Sequence, residues 1–480
     1  MDWLQAPDYW LARLVFERLL GGVYLVAFLV AANQFRPLLG ERGLLPAPRF
    51  LASVGFARAP SILHLHYSDR FLSVVAWSGA AVAALCAAGV PQAGPWWAAA
   101  AAWAALWALY LSIVNVGQRF YGFGWESLLL EAGFLAIFLG PADWAPPTLL
   151  VVALRWLLFR LEFGAGVIKM RGDPCWRDLT CLRYHHETQP LPNPLSWWFH
   201  HLPRRVHRLE VAGNHAAQLV APFLLFAPQP VAAVAGAAVV VTQVWLVLSG
   251  NFAWLNLLTI ALAAAAFDND VLAPLLPVEV PATTPSPPWH QALVAGIALL
   301  VAVLSRRPIV NLASPRQVMN SSFDPLHLVN TYGAFGSVTR QRFEVVIEGT
   351  DAAEPGAGAV WREYELKGKP GDPLRRPRQV APYHLRLDWV LWFVALPGRR
   401  FDHPWVSALL TRLLENDGPT LRLFRTNPFP GEPPAFVRAR LYHYRFTTPA
   451  ERRATGAWWV RTPAGELRPA LGRPSSAATR

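Results

Sequence analysis

The run VAAVAGAAVVVTQVWLVLSG, residues 231–250, contains no ionisable side chain. A helix of that length rises about 30 Å, the thickness of a bilayer's hydrocarbon core, so the run reads as a membrane span. The whole chain agrees with that reading. Of its 480 residues 54% are hydrophobic and only 15% charged, and 22 are Trp, a balance foreign to soluble domains.

Working outward, eight further apolar stretches stand at Leu14 to Asn33, Phe71 to Val90, Trp96 to Val116, Trp125 to Gly140, Leu149 to Ile168, Leu209 to Ala227, Phe252 to Phe267 and Trp289 to Leu304. Gly21 to Ala32 has the length of a signal-peptide core, but Asp2, Asp8 and Glu17 surround its approach where a signal peptide carries Lys or Arg, so it reads as an uncleaved first span. The expected fold class is a polytopic α-helical membrane protein of about nine spans, followed by a mainly β C-terminal soluble domain. The boundaries are expected at 1–308 for the membrane part, with a polar loop at 169–208, then 309–467 for the β domain and 468–480 for a disordered tail.

The β expectation rests on alternation. Phe343, Val345 and Ile347 interleave with Arg342, Glu344, Val346 and Glu348, and Trp361, Tyr364 and Leu366 follow a turn at Pro355 to Gly358. Leu421 to Arg425 and Phe436 to Phe446 read as further strands. Asp402, Pro404 and a stripe of Val406, Leu409, Leu410 and Leu413 closed by Gly418 read as one helix.

The net charge of +12 is almost all Arg, since Lys occurs only at 169, 367 and 369. Scattered through a membrane protein, that charge points to anionic lipid headgroups and away from nucleic acid. The basic loops Arg36 to Arg70 and Lys169 to Arg208 place themselves and the C-terminal domain in the cytoplasm by the positive-inside rule.

Ionisable residues inside spans are costly and draw attention first. Arg155, Glu162 and Lys169 follow one another at seven-residue steps on one helical face, and Glu126 and Glu131 lie on a neighbouring stretch. Two readings stand: mutual ion pairs that lock helix packing, or a polar cavity for a substrate or protons. Gly164 and Gly166 permit a close helix approach at this level.

The polar knot RGDPCWRDLTCLRYHHETQPLPNP, residues 171–194, interrupts the apolar pattern. Cys175 and Cys181, followed by His185 and His186, do not have a usual zinc spacing, and no metal or other cofactor is assigned. A short-loop disulfide and free buried thiols both remain open, and Cys86 reads as a small apolar residue within a span. His185, His186 and Glu187 have the chemistry for acid/base work, yet no nucleophile elbow, phosphate loop or metalloprotease signature accompanies them. Pro190, Pro192 and Pro194 then lead to Trp197, Trp198 and Phe199 at the membrane interface.

Four longer stretches carry a family likeness: YGFGWESLLLEAGFLAIFL, RWLLFRLEFGAGVIKMRGDPCWRDLTCLRYHHETQPLPNPLSWWFHHLP, LVNTYGAFGSVTRQRFEVVIEGT and WREYELKGKPGDPLRRPRQVAPYHLRLDWVLWF. From about Tyr121 to Phe446 the chain resembles the lipase maturation factor family. That resemblance implies a non-catalytic membrane protein that helps secreted lipases reach their active fold, in the endoplasmic reticulum membrane for the animal members. It also implies a lumenal, external C-terminal domain, which is preferred over the cytoplasmic side given by the arginine count because large domains translocate largely regardless of charge. The Ala, Arg and Pro bias is in the manner of a high-GC bacterial genome, and in a bacterium the expected location is the inner membrane. A weaker likeness to the transmembrane part of vitamin K-dependent carboxylase implies the alternative of an enzyme modifying a lipid, quinone or polypeptide, using Lys169, His185, His186 or Glu187.

A folding factor needs aromatic area beside Arg. The expected client-facing set is Trp176, Arg177, Tyr184, Trp197 and Trp198 in the loop, with Tyr332, Trp361, Tyr364, Tyr383, Trp389 and Trp392 beyond it. For each residue the competing expectation is ordinary core or interface packing.

Overall fold

The computed structural model describes residues 2–396 and 403–473. Helix α1, Trp10–Leu39, is the central post of the membrane half, with Leu20, Val23, Tyr24, Ala27, Phe28 and Phe35 all buried. Helix α2, Asp69–Ala88, opens on Ser68, whose hydroxyl accepts from the Phe71 amide, and closes on Gly89 at φ 81°. It lies against α1 through two glycines: a Cβ on Gly21 would stand 2.5 Å from the Ala87 nitrogen, and one on Gly79 would run into the Phe28 ring. Next come α3, Trp96–Val116, the 13-residue α4, Gly124–Ala136, and the 24-residue α5, Thr148–Arg171. The polar loop contributes α6, Leu182–Thr188, and α7, Arg204–Leu219. The membrane half ends with α8, Val231–Ser249, α9, Leu255–Ala263, and α10, Pro288–Leu304.

Among the described residues, five segments are long and apolar enough to cross a membrane: Pro7–Leu39, Asp69–Ala88, Trp96–Val116, Val231–Ser249 and Pro288–Ala313. The other four expected spans fold differently. Trp125 to Gly140 gives only the short α4, Leu209 to Ala227 is divided between the polar α7 and a turn at Ala221–Leu224, and Phe252 to Phe267 gives α9 with a 3-10 turn at Ala264–Ala266. Leu149 to Ile168 does become a long helix, α5, but one that buries Arg155, Arg160, Glu162 and Lys169.

The C-terminal half contains β1, Arg342–Thr350, β2, Arg362–Tyr364, α11, Arg386–Val394, α12, Pro404–Leu414, β3, Phe436–Phe446, and β4, Trp459–Gly472. The strands form one antiparallel sheet in the order β2-β1-β3-β4, with Ile347 opposite both Tyr364 and Ala439. Two helices pack on it, so the domain mixes α and β. The strand expected at Leu421 to Arg425 is reduced to a single bridge between Phe424 and Leu366, because Gly418–Leu421 is a helical turn capped by Asp417. Asp402, the expected start of α12, lies outside the described residues. The expected disorder from Arg468 is also corrected: β4 runs to Gly472, paired with Phe436, while residues 474–480 lie outside the described part.

The charged face of β1 is not wet. Arg342 and Glu344 are fully buried, and Glu344 also receives the buried Lys369 ammonium. Burial pushes Lys369 below its ordinary value, and the neighbouring carboxylate opposes that shift. The period-two pattern therefore marks a charged internal layer where it resembled a solvent face.

The two halves are joined by ion pairs at α4. Arg386, from the first turn of α11, donates to Glu126 at 2.8 Å and to the Phe120 carbonyl at 2.7 Å, with its guanidinium 3.4 Å from the Tyr121 ring centroid. Tyr110 donates to the other Glu126 oxygen. Five residues further on, Glu131 pairs with Arg160 and accepts from the Asn330 amide at 3.0 Å and the Tyr332 hydroxyl at 2.7 Å. Gln34 of α1 completes the joint, donating to the His384 carbonyl and accepting from the Arg386 amide.

Two outcomes are expected. Arg386→Met leaves a buried carboxylate uncompensated and costs about 3–5 kcal/mol, whereas pairing it with Glu126→Gln recovers part of the loss; unfolding in detergent measures both. His384 sits inside Phe123, Trp125, Trp254 and Trp389, and burial, with Arg386 adding to it, holds its imidazole well below the ordinary value. The unfolded chain then binds the proton more readily, so this contribution to stability is full above about pH 6.5 and is lost as pH falls below it. His384→Phe should shrink the drop in melting temperature between about pH 7 and pH 5, and an unchanged drop would assign it to other groups.

Candidate functional site

A cavity of about 1310 Å³ lies between the membrane half, the polar loop and the C-terminal domain. Its polar wall is made by Glu162 and Lys169 of α5, His185 and His186 of α6, Glu210, Asn214 and Gln218 of α7, Gln243 of α8 and Asn256 of α9. Trp176, Tyr332, Trp389, Trp392, Phe393 and Trp405 form much of the apolar wall. A space of this size, largely apolar with a few convergent polar groups, has the character of a ligand or segment-binding site.

The expected mutual ion pairs along α5 are absent among the described residues. Arg155 donates to the Ala265 carbonyl at 2.8 Å, Glu162 accepts from Gln243, and Lys169 donates to Gln218 at 2.7 Å and sits 4.9 Å from the Trp176 ring. Seven-residue steps did place Glu162 and Lys169 on the same cavity wall, but each is served by a neutral amide. Arg160 makes the α5 ion pair. The close helix approach expected at the α5 glycines occurs at Gly166, where a Cβ would meet Leu219 and Gln218 of α7, whereas one on Gly164 would meet the Tyr332 carbonyl of the C-terminal half.

The knot fastens the two halves together. Cys175 and Cys181 are joined by a disulfide, with Cα atoms 4.8 Å apart. Asp173 pairs with Arg340 at 2.8 Å, which draws its carboxyl below the usual range, and Trp176 donates to the Phe335 carbonyl. Arg342 of β1 donates to the carbonyls of Glu187, Gln189 and Pro190, and Glu187 accepts from the Phe446 amide. Trp197 and Trp392 donate to the Thr447 and Thr188 carbonyls, and Asn251 accepts from the Val380 and Ala381 amides.

These contacts reassign several expected roles. Glu187 is turned to the sheet and away from His185 and His186, so the four proposed acid/base residues do not converge. His185 packs edge-on against Phe335 at 4.8 Å, and burial drives its pKa down to about 3, which leaves a weak base. Within the client-facing set, Trp176, Trp197, Tyr332, Tyr364 and Trp389 are buried. Trp361 is half-buried beneath Arg438, Tyr184 lies against Arg340, and Arg177 is exposed but bonds its own loop.

Trp198 is the expected tryptophan that reaches solvent, at 40% exposure. It belongs to a surface cluster with Trp458, and Arg452 and Arg376 lie over the rings, Arg452 at 3.5 Å from the Trp458 centroid and Arg376 at 4.9 Å from that of Trp198. Sequence reasoning missed Arg376, Arg452 and Trp458 because they sit far from Trp198 along the chain. It also missed His207 and Glu210, which lie near the cavity wall on one face of α7; their three-residue spacing was the available signal.

The fold and site define an integral membrane protein whose spans, polar loop and extramembrane domain enclose a common cavity. Residues 11–274 match the family model described as Lipase maturation factor transmembrane domain, and 328–469 match the Lipase maturation factor C-terminal domain. The chain is 44% identical to a Bos taurus protein named Lipase maturation factor 1 over 98% of its own length and 90% of that protein's. For the Homo sapiens protein of the same name the identity is 41%, covering 98% and 89%, and for human Lipase maturation factor 2 it is 29%, covering 96% and 82%. The chain belongs to the lipase maturation factor family. No solved structure matches it.

Removing the Arg342 guanidinium should undo the knot without touching a span. Arg342→Met is expected to open the chain near Glu187 to limited proteolysis while the apolar helices stay protected, because three carbonyls lose their donor together.

Proposed function

We propose that this chain is a membrane-bound, non-catalytic maturation factor that assists secreted lipases or related exported enzymes to their active fold. The observation that carries the reading is near full-length similarity to proteins named Lipase maturation factor 1. A folding factor must hold apolar surface of a client reversibly, and the Trp198, Trp458, Arg376 and Arg452 cluster has the aromatic area and cationic charge for it. The cavity, walled by Trp176, Tyr332, Trp389 and Trp392, is the second client-facing element of the proposal. It can take up an apolar segment or a lipid chain.

We place the polar loop and C-terminal domain on the topologically external side, in the endoplasmic reticulum lumen or, in a bacterium, the periplasm. The Cys175–Cys181 disulfide is chemistry of an oxidising compartment, and large domains translocate with little regard to charge. We keep the expected nine traverses, because the far ends of α1, α3, α5 and α8 all reach chain of the C-terminal half, through Gln34, Asn115, Asp173 and Asn251, and α4, α7 with its following turn, and α9 are the stretches that return the chain between them. Residues 1–308 and 309–467 are proposed as the two working units.

Co-expression with a secreted lipase tests the proposal. Trp198→Ala combined with Arg452→Ala should lower the yield of active secreted lipase roughly 10-fold at equal chain level, the loss of about one strong contact pair. Val360→Ser, at an exposed position away from the cluster, should leave the yield unchanged. Equal yields from both variants would remove the cluster as the client surface.

A further inference from the structure

His186, His207 and Glu210 each offer one ligand atom, and these three atoms lie within 4.8 Å of one another. The side chains of His186 and Glu210 are 3% and 5% exposed, and His207 is buried. Neither ring nitrogen of His186 has a hydrogen-bond partner, nor do His207 Nδ1 and Glu210 Oε2. The nearest approach, His186 Nε2 to Glu210 Oε2, is 3.9 Å, too long for a hydrogen bond. Polar atoms buried without a partner each cost about 1–3 kcal/mol, and one ion that takes an atom from each of the three side chains accounts for three of these four.

The atoms around them are arranged as support for ligands. His207 Nε2 lies 2.9 Å from the Phe199 carbonyl, which only accepts, so the proton sits on Nε2 and the Nδ1 lone pair is free. Trp245 donates to Glu210 Oε1 at 2.8 Å, which fixes the carboxylate and leaves Oε2 available. Histidines held by a carbonyl and carboxylates held by a donor are the usual outer partners of metal ligands. His207 and Glu210 share a face of α7 at three-residue spacing, and His186 comes across from α6.

We propose that His186, His207 and Glu210 bind one divalent ion of the zinc class, with a further coordination position turned to the cavity. Two imidazoles and a carboxylate suit Zn²⁺ and its neighbours better than Ca²⁺ or Mg²⁺. Ligand atoms about 2.0–2.2 Å from a tetrahedral ion stand roughly 3.3 Å apart, so side-chain rotation has to draw in the 3.9 Å pair by about 0.6 Å, and atoms as far as 4.8 Å apart by up to about 1.5 Å, to close the site. His186 and Glu210 also line the cavity, which puts the fourth position there. The ion ties the knot's α6 to α7. Asp173, Cys175 and Cys181 also come together, but the two sulfurs are bonded to each other and offer no thiolate. Reading the histidines with the cysteines is why the sequence suggested no metal; the partners are 21 and 24 residues beyond His186. The inference does not depend on the maturation role.

The test uses the purified full-length chain in detergent, stripped with chelator, reloaded with Zn²⁺ or Co²⁺ and desalted. One Zn²⁺ per chain is expected, with intense visible Co²⁺ bands and an X-ray absorption shell of two imidazoles and oxygen. Glu210→Gln and His207→Gln should each weaken Zn²⁺ binding roughly 100-fold or more, while His200→Gln still retains one ion. A wild-type chain that keeps no zinc, a sulfur or all-oxygen shell, or undiminished binding in His186→Gln/His207→Gln/Glu210→Gln would each overturn the proposal. If those variants do not fold, the wild-type stoichiometry and absorption shell decide it.

Discussion

Two carboxylates on one 13-residue helix hold this protein together. Glu126 takes Arg386 and Glu131 takes Arg160, Asn330 and Tyr332, so both connect the membrane bundle to chain beyond residue 320. Ion pairs with no solvent exposure stabilise only when every lone pair and proton finds a partner. Here Tyr110, the Phe120 carbonyl and the Asn330 amide supply part of that set, while Arg386 Nε and Nη2 and Arg160 Nε have no hydrogen-bond partner, and the Arg386 guanidinium rests on the Tyr121 ring instead. The geometry leaves little freedom in how the C-terminal domain sits, and the cavity walls drawn from both halves inherit that rigidity.

The polar knot extends the same logic. Its Cys175–Cys181 bridge closes it on itself, the Arg342 guanidinium and the Trp197 indole bond it to the C-terminal half, and Gln189 and Asn193 donate to the Ser249 and Val247 carbonyls of α8, so a loop between helices becomes the third wall of the cavity. Most of its aromatics are spent on this internal fastening. The cluster at Trp198 stays at the surface, which is why it and the cavity are the client-facing elements proposed above. A maturation factor built this way presents fixed surfaces and gives its client the conformational freedom.

The apolar runs at α1, α2, α3, α8 and α10 were legible because a bilayer-length stretch without charge has few other solutions. β1 and β3 were legible from period-two alternation. Shorter apolar stretches were less legible, since the regular helix of α4 and α9 falls below bilayer length. The charged stripe Arg342, Glu344 and Glu348 looked like a wet face because its partners, Lys369 and Arg438, are remote in sequence. Arg386 was invisible for the same reason. Glu126 and Lys169 were recognisable as residues that needed an explanation, but the groups that supply it are set by the fold.

The Glu126–Arg386 bond spans 260 residues, and synthesis gives that separation a duration. At about 5–20 residues per second, α4 exists for roughly ten to fifty seconds before its arginine is made. Through that interval Glu126 awaits its counter-charge while Glu131 already has Arg160 of α5, so the apolar helices assemble first around a provisional joint. Arrival of α11 then closes the bundle, which makes completion of the chain the event that commits it to its final form.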